Sequence, residues 1–201
     1  VLNAPDESFD PSEDEALFRR YTPDSHAAGK LFNKRMLQIA LGLTQDPDAP
    51  LFYWPSRLDS LQKGAQLLAP LLPDLVNRDR PCPQVVFVAD GDSQSQIQEM
   101  VRTHGLGERV AVCDFNEHLA RIAFGAADFV LMPSRYEPCG LTQMYSLRYG
   151  TLPIVTRAGG LADTVRDVSS EGGTGIFIQE PCPRAVTEAV RKAVSLWTDE
   201  R

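Results

Sequence analysis

The chain has 201 residues, 43% hydrophobic and 23% charged, the make-up of an ordinary soluble globular domain long enough to bury a sizeable core. A formal net charge of −7 argues against a general affinity for nucleic acid, which needs a basic surface, but leaves room for one or two cations in a phosphate pocket. No run of about 18 apolar residues is present to span a membrane, and the opening VLNAPDESFDPSEDE has neither the basic start nor the apolar stretch of a signal peptide.

Residues 1–26 are acidic and contain prolines, and read as an irregular lead-in. Residues 27–43, AAGKLFNKRMLQIALGL, read as one helix. In it Leu31, Lys34 and Arg35 alternate with apolar Phe32, Met36, Leu37, Ile39, Ala40 and Leu41 at roughly helical spacing. TQDPDAP then breaks the chain. From residue 51 a repeating order sets in. LFYWPS is a predicted strand and GAQLLAPLLPDL a helix. QVVFVAD is a continuous apolar run, the mark of a strand buried on both faces. SQSQIQEMVRTHG, a helix, leads to the strand RVAVCDF. NEHLARIAFGA, a helix, leads to the strand DFVLMP. GLTQMYSLRYG, LPIVT, ADTVRDV, GIFIQ and PRAVTEAVRKAVSLW continue the alternation as helix, strand, short helix, strand and closing helix.

Such alternation predicts an α/β fold: a doubly wound, mostly parallel sheet with helices on both faces. Ligands of these sheets bind beyond the carboxyl ends of the strands. The residues there are Ser56-Arg57, Asp90 to Asp92, Asp114-Phe115, Pro133 to Gly140 and Arg157 to Gly160.

The richest strand end is PSRYEPCGLTQ, residues 133–143. Amides of Gly140, Leu141 and Thr142 at a helix start suit a phosphate or another anionic oxygen. Glu137 either projects over the same crevice, to grip sugar hydroxyls or offset developing positive charge, or merely favours the helix dipole. Cys139 is either a loop contact or packing. Arg57 and Lys63, in SRLDSLQKG, suit a phosphate as a fork and a point charge, or are simply solvated. Gly159 and Gly160 open a second strand-to-helix turn that either offers its amides to a ligand or needs glycine for its backbone. Phe115 either stacks on a base or belongs to the core. His118 and Arg121, on one helical face, read as solvated. No GxGxxG is present, so the dinucleotide fingerprint fails. Cys82, Cys113, Cys139 and Cys182 form no C-x-x-C pair, and His26, His104 and His118 are scattered. No metal site is expected, and the thiols read as reduced in a cytosol-like compartment.

The run PSRYEPCGLTQMYSLRYGTLPIVTRAGGLADTV, residues 133–165, closely resembles the bacterial glycogen synthase and plant starch synthase family. That family has retaining glucosyltransferases of the GT-B fold. GKLFNKRMLQIALGL, SRLDSLQKG and DFNEHLARIAFGAADFVLMPS resemble further family segments, so the likeness runs from about residue 20 to 180. The resemblance implies ADP-glucose as donor (UDP-glucose in some relatives), an α-1,4-glucan as acceptor, retention at the anomeric carbon, and no cofactor or metal. It implies that Arg57 and Lys63 hold the donor phosphates and that Glu137 is the carboxylate at the reacting glucose. Cys139, Gly140, Leu141 and Thr142 match the loop touching glucose and the distal phosphate. Phe115 falls on the aromatic that stacks on adenine, usually Tyr; Phe keeps the ring face.

Three features depart from the family pattern. Arg57 and Lys63 stand one residue further apart than expected, ADGD replaces a glycine-richer turn, and TRAGG replaces Arg-Thr-Gly-Gly. The family's K-x-GGL motif is absent from these residues. Residues 1–26 are therefore expected to be a lead-in from an interdomain region, and 27–201 the nucleotide-sugar-binding half of a two-domain enzyme. Such a chain is expected to bind nucleotide weakly and to transfer no glucose alone, with the glucan contacting the other domain. No membrane or nucleic-acid partner is expected, and bacterial cytoplasm or plastid stroma both suit. The rival readings are a catalytically degenerate homologue acting as a glucan-binding scaffold, and a GT-B enzyme using another nucleotide sugar.

Overall fold

The computed structural model describes residues 4–78 and 81–199. Six strands form one sheet: β1 (Leu51–Trp54), β2 (Gln84–Val88), β3 (Val110–Cys113), β4 (Phe129–Met132), β5 (Leu152–Thr156) and β6 (Ile176–Ile178). Their order is β3-β2-β1-β4-β5-β6 and every neighbouring pair is parallel, as the alternation predicts. The order reverses between β1 and β4, the switch point where such sheets bind ligands beyond the strand ends.

Among the described residues eight α-helices connect and cover the strands: α1 (His26–Ala40), α2 (Ala65–Leu68), α3 (Leu72–Arg78), α4 (Gln94–Thr103), α5 (Glu117–Ala126), α6 (Thr142–Arg148), α7 (Gly160–Thr164) and α8 (Pro183–Asp199). The helix predicted over 64–75 is two pieces, α2 and α3, joined by a 3-10 turn at Ala69–Leu71 where Pro70 removes an amide.

Alternate side chains of each strand feed two cores. On one face Phe52, Trp54, Phe87, Leu131 and Ile154 pack with Leu72, Ile97, Val186 and Val190. On the other, Leu51, Tyr53, Val86, Val130 and Val155 pack with Leu37, Ala123, Tyr149 and Leu161. Strands buried on both faces explain why their sequences are near-continuous apolar runs.

The first helix lies where the sequence places it, but its buried face is not the apolar one. Of the apolar residues that set its pattern, Leu37 is buried, while Leu31, Phe32 and Ile39 are exposed. The buried stripe is Lys30, Asn33, Lys34 and Gln38. It is stable because each head finds partners, as a buried polar group must. Lys30 Nζ donates to Thr151 Oγ1 at 2.7 Å and to the Tyr149 carbonyl at 3.0 Å. Lys34 pairs with Asp128 at 2.7 Å. Gln38 donates to the Gln84 side chain at 2.8 Å. Asn33 exchanges two hydrogen bonds with the backbone of Arg19.

Residues 4–22 form no helix or strand, and a 3-10 turn at Pro23–Ser25 leads into α1; the segment is a packed strap. Tyr21 donates to the Tyr149 carbonyl at 2.7 Å, Tyr149 donates to Asp14, and the ring of Phe9 stacks on Tyr145 with centroids 3.9 Å apart. Arg121, read as solvated, lies beneath this strap. It donates to the Ser8 carbonyl at 2.8 Å and lies 3.9 Å from the centroid of Phe9, while His118 on the same helix is exposed. None of the four cysteines is in a disulfide. Among the described residues no helix is long and apolar enough to cross a membrane.

Candidate active site

The loops leaving β1, β4 and β5 meet at the carboxyl rim beside the switch point. The β1 loop turns back through Gly64, whose φ of +83° is a conformation natural to glycine. A Cβ there would run into the backbone carbonyl of Pro133, so glycine lets the β1 and β4 loops touch. The Arg135 amide donates to the Gln62 carbonyl at 2.8 Å across that contact. Lys63 is thereby brought against the β4 loop, with its Nζ 2.5 Å from Glu137 Oε2. Ser134, fully buried, adds a longer contact from Oγ to the same oxygen at 3.4 Å.

This pairing changes the picture of Glu137. Its side chain keeps 11% of its surface exposed, so the carboxylate does not stand open over the crevice as the sequence suggested. It lies on the expected rim, folded under the β1 loop and neutralised by Lys63. The role as a mere dipole partner fits less well, because the pairing takes the oxygen to Lys63.

The turn of Gly159 and Gly160 locks against the same loop. The Gly160 amide donates to the Glu137 carbonyl at 3.0 Å. A Cβ on Gly159 would overlap that carbonyl, and one on Gly160 would overlap the carbonyl of Cys139. The turn therefore needs glycine for close backbone approach, and its Gly160 amide is spent on protein. Helix α6 begins at Thr142, later than predicted, with Leu141 as its cap residue. Among the described residues the amides of Gly140, Leu141 and Thr142 find no protein acceptor. Gln143, fully buried, pins the Gly140 carbonyl through Nε2 at 2.6 Å. Cys139 is exposed.

Phe115 is 59% exposed, so the core reading fails. Its ring stands between two cavities. One, of about 430 Å³, is shared with Arg57, Pro55 and Gly91. The other, of about 230 Å³, is shared with Thr142, Tyr53 and Tyr145. Arg57 is exposed, its guanidinium making a 3.4 Å contact with the Gln62 side chain. The acidic turn Asp90 to Asp92 is committed to the protein. Asp90 accepts the Phe115 amide at 2.8 Å, and Asp92 accepts the Ser60 hydroxyl at 3.0 Å. Sequence reasoning missed these positioning roles, and those of Ser134 and Gln62. The one signal available was their place at the strand ends. Among the described residues no group of three His, Cys, Asp or Glu is arranged to hold a metal ion.

The family pattern of the group 1 glycosyl transferases matches residues 43–201. Glycogen synthase of Rhodospirillum rubrum is 39% identical over 204 residues, which take in 100% of this chain and 41% of that protein. Glycogen synthase of Anaeromyxobacter dehalogenans is 43% identical over 206 residues, 100% of this chain and 42% of that protein. The chain thus spans about two fifths of the length of the curated relatives it matches. Among solved structures, the catalytic domain of starch synthase IV from Arabidopsis thaliana, bound to ADP and acarbose, superposes with a TM-score of 0.88. It is 27% identical, covering 98% of this chain and 41% of that one.

Proposed function

Since the chain belongs to the group 1 glycosyl transferases, in the family of glycogen and starch synthases, we propose that it is the donor-binding half of a retaining glucosyltransferase. The donor is ADP-glucose and the acceptor is the non-reducing end of an α-1,4-glucan. The observation that carries this reading is the convergence at the β1–β4 switch point of Arg57, the Lys63–Glu137 pair, uncommitted amides at 140–142 and an exposed aromatic ring.

The adenine lies against Phe115, and the diphosphate lies between Arg57, Lys63 and the amides of Gly140, Leu141 and Thr142. Donor entry exchanges the partner of Lys63 from Glu137 to a phosphate oxygen. Glu137, released, accepts hydroxyl protons of the glucose and offsets positive charge at its anomeric carbon. The bond from that carbon to the β-phosphate oxygen breaks with its electron pair going to phosphate, where Arg57 and Lys63 balance the charge. The acceptor hydroxyl attacks from the same face and passes its proton to the departing phosphate. No metal is assigned a part in these steps. The remaining length of the enzyme supplies the acceptor side, and closure over the donor excludes water.

Calorimetric titration of the chain with ADP and with UDP tests the reading. ADP is expected to bind more tightly than UDP, and Arg57→Ala to weaken ADP by about tenfold or more, the loss of one charge-assisted phosphate contact. Preference for UDP overturns the donor assignment. Binding of maltotriose without any nucleotide binding points instead to a scaffold.

A further inference from the structure

The opposite, amino-end rim of the sheet carries a cavity of about 420 Å³, far along the strands from the site above. That volume lies within the roughly 300–1,000 Å³ of small-molecule pockets. Its walls come from both ends of the chain: Ala27 and Leu31 on α1, Pro47 ahead of β1, Gly150 ahead of β5, and Trp197 on α8. Its floor is the ion pair of Lys34 with Asp128, the residue just before β4.

The state of each polar group selects the ligand. Lys34 has little left to give: Nζ lies 2.7 Å from Asp128 Oδ2, 3.4 Å from the Pro47 carbonyl and 4.5 Å from the centroid of the Trp197 ring. Lys30 is likewise committed, to the Tyr149 and Phe124 carbonyls and Thr151. An anion therefore finds no cationic donor to spare. A cation meets two lysines. What the lining does offer is acceptors. Asp128 spends Oδ2 on Lys34 and the Leu51 amide, and no protein donor reaches Oδ1 among the described residues. His26 Nδ1 lies 2.7 Å from the Pro23 carbonyl, which only accepts, so Nδ1 carries a proton, and in the Nδ1–H tautomer Nε2 is the acceptor left for a ligand. Two acceptors above apolar and indole walls match a neutral ligand with hydroxyl donors on its rim and a C–H face between them.

We infer that this cavity is a second binding site, specific for a neutral saccharide and separate from the donor site. A glucan chain and a free hexose share the required chemistry. The inference stands on this rim alone and does not need the donor assignment to hold.

Amide and indole NMR spectra of the chain, titrated with maltotriose, glucose, inorganic phosphate and ADP, test it. Maltotriose is expected to move the Trp197 indole and Gly150 amide signals saturably, leaving the buried Trp54 indole in place. Ala27→Trp, at an exposed helix position that fills the cavity, is expected to weaken this by at least about tenfold. His26→Ala, which removes one acceptor, weakens it severalfold. ADP-induced shifts stay unchanged in both variants. Equal response to glucose identifies a free-hexose site, and response to maltotriose alone a chain site. The inference is overturned if maltotriose moves no signals or moves only those near Phe115 and Thr142. It is equally overturned if phosphate alone moves the Trp197 indole, or if Ala27→Trp leaves the saccharide response intact. Failure of ADP to bind would count against the donor reading and leave this one untouched.

Discussion

Lys63 and Glu137 stand 74 residues apart in the chain and 2.5 Å apart in the fold, with little of either side chain exposed. Removing one partner strands the other. Lys63→Met is expected to destabilise the chain by about 1–3 kcal/mol, below the 3–5 of a fully buried pair because water reaches the edge of this one. Glu137→Gln keeps a polar group beside Lys63 and is expected to cost less. Urea denaturation of both variants checks the order. A smaller loss for Lys63→Met would show that the pair is not what fastens the two loops.

ADP affinity separates the same two variants. On the proposed donor reading, Lys63→Met is expected to bind ADP about tenfold or more weakly. Glu137→Gln frees Lys63 from its competing carboxylate and is expected to bind ADP at least as tightly as the parent. Weaker ADP binding by Glu137→Gln would contradict the exchange of partners.

Phe115→Ala isolates the aromatic contribution. The ring is 59% exposed, so its loss should leave urea stability nearly unchanged. A base stacked on an aromatic side chain is worth about 1–3 kcal/mol, so ADP affinity is expected to fall by roughly tenfold to a hundredfold. An unaltered ADP titration would remove Phe115 from the site.

Gly160→Ala introduces a methyl where the backbone carbonyl of Cys139 already lies. No rotamer relieves a clash with backbone. The variant is expected to lose about 2–4 kcal/mol of stability, in the range of strongly overpacked sites. A near-neutral result in urea would mean that the β5 turn is free to move off the β4 loop.

Lys30 gives a pH signature. Burial drives its ammonium down to about 7, with Asp128 opposing and Lys34 adding to the shift. The unfolded chain keeps that proton up to the ordinary value of 10.5, so between the two values it binds more protons than the folded chain. Stability from this residue therefore climbs as pH rises from about 7 towards 10.5. Lys30→Met is expected to flatten the rise between pH ~7.5 and ~9.5. Parallel slopes for parent and variant in urea would refute it.

The fold was largely legible because buried parallel strands write their burial into the chain: QVVFV and LPIVT coincide with β2 and β5. Helix α1 was legible as a helix from its period, but its polar buried face was not. The partners that make Lys30, Lys34 and Gln38 good interior residues are Thr151, Asp128 and Gln84, all remote in sequence. Arg121 misled for the same reason, since Ser8 and Asp14 reach it from an irregular segment. Strand ends named the loops that meet at the carboxyl rim. Which side chains meet was not readable, because the Lys63–Glu137 contact depends on how closely Gly64 lets two loops approach.

The strap over residues 4–25 ties the chain's early segment to helix α6, which starts at the carboxyl rim. Phe9 lies flat on Tyr145, one helical turn beyond Thr142, and Asp10 grips Arg148 at 2.9 Å further along the same helix. Through these two contacts the early segment holds α6, and with it the amides at the helix start, from outside the residues of that loop.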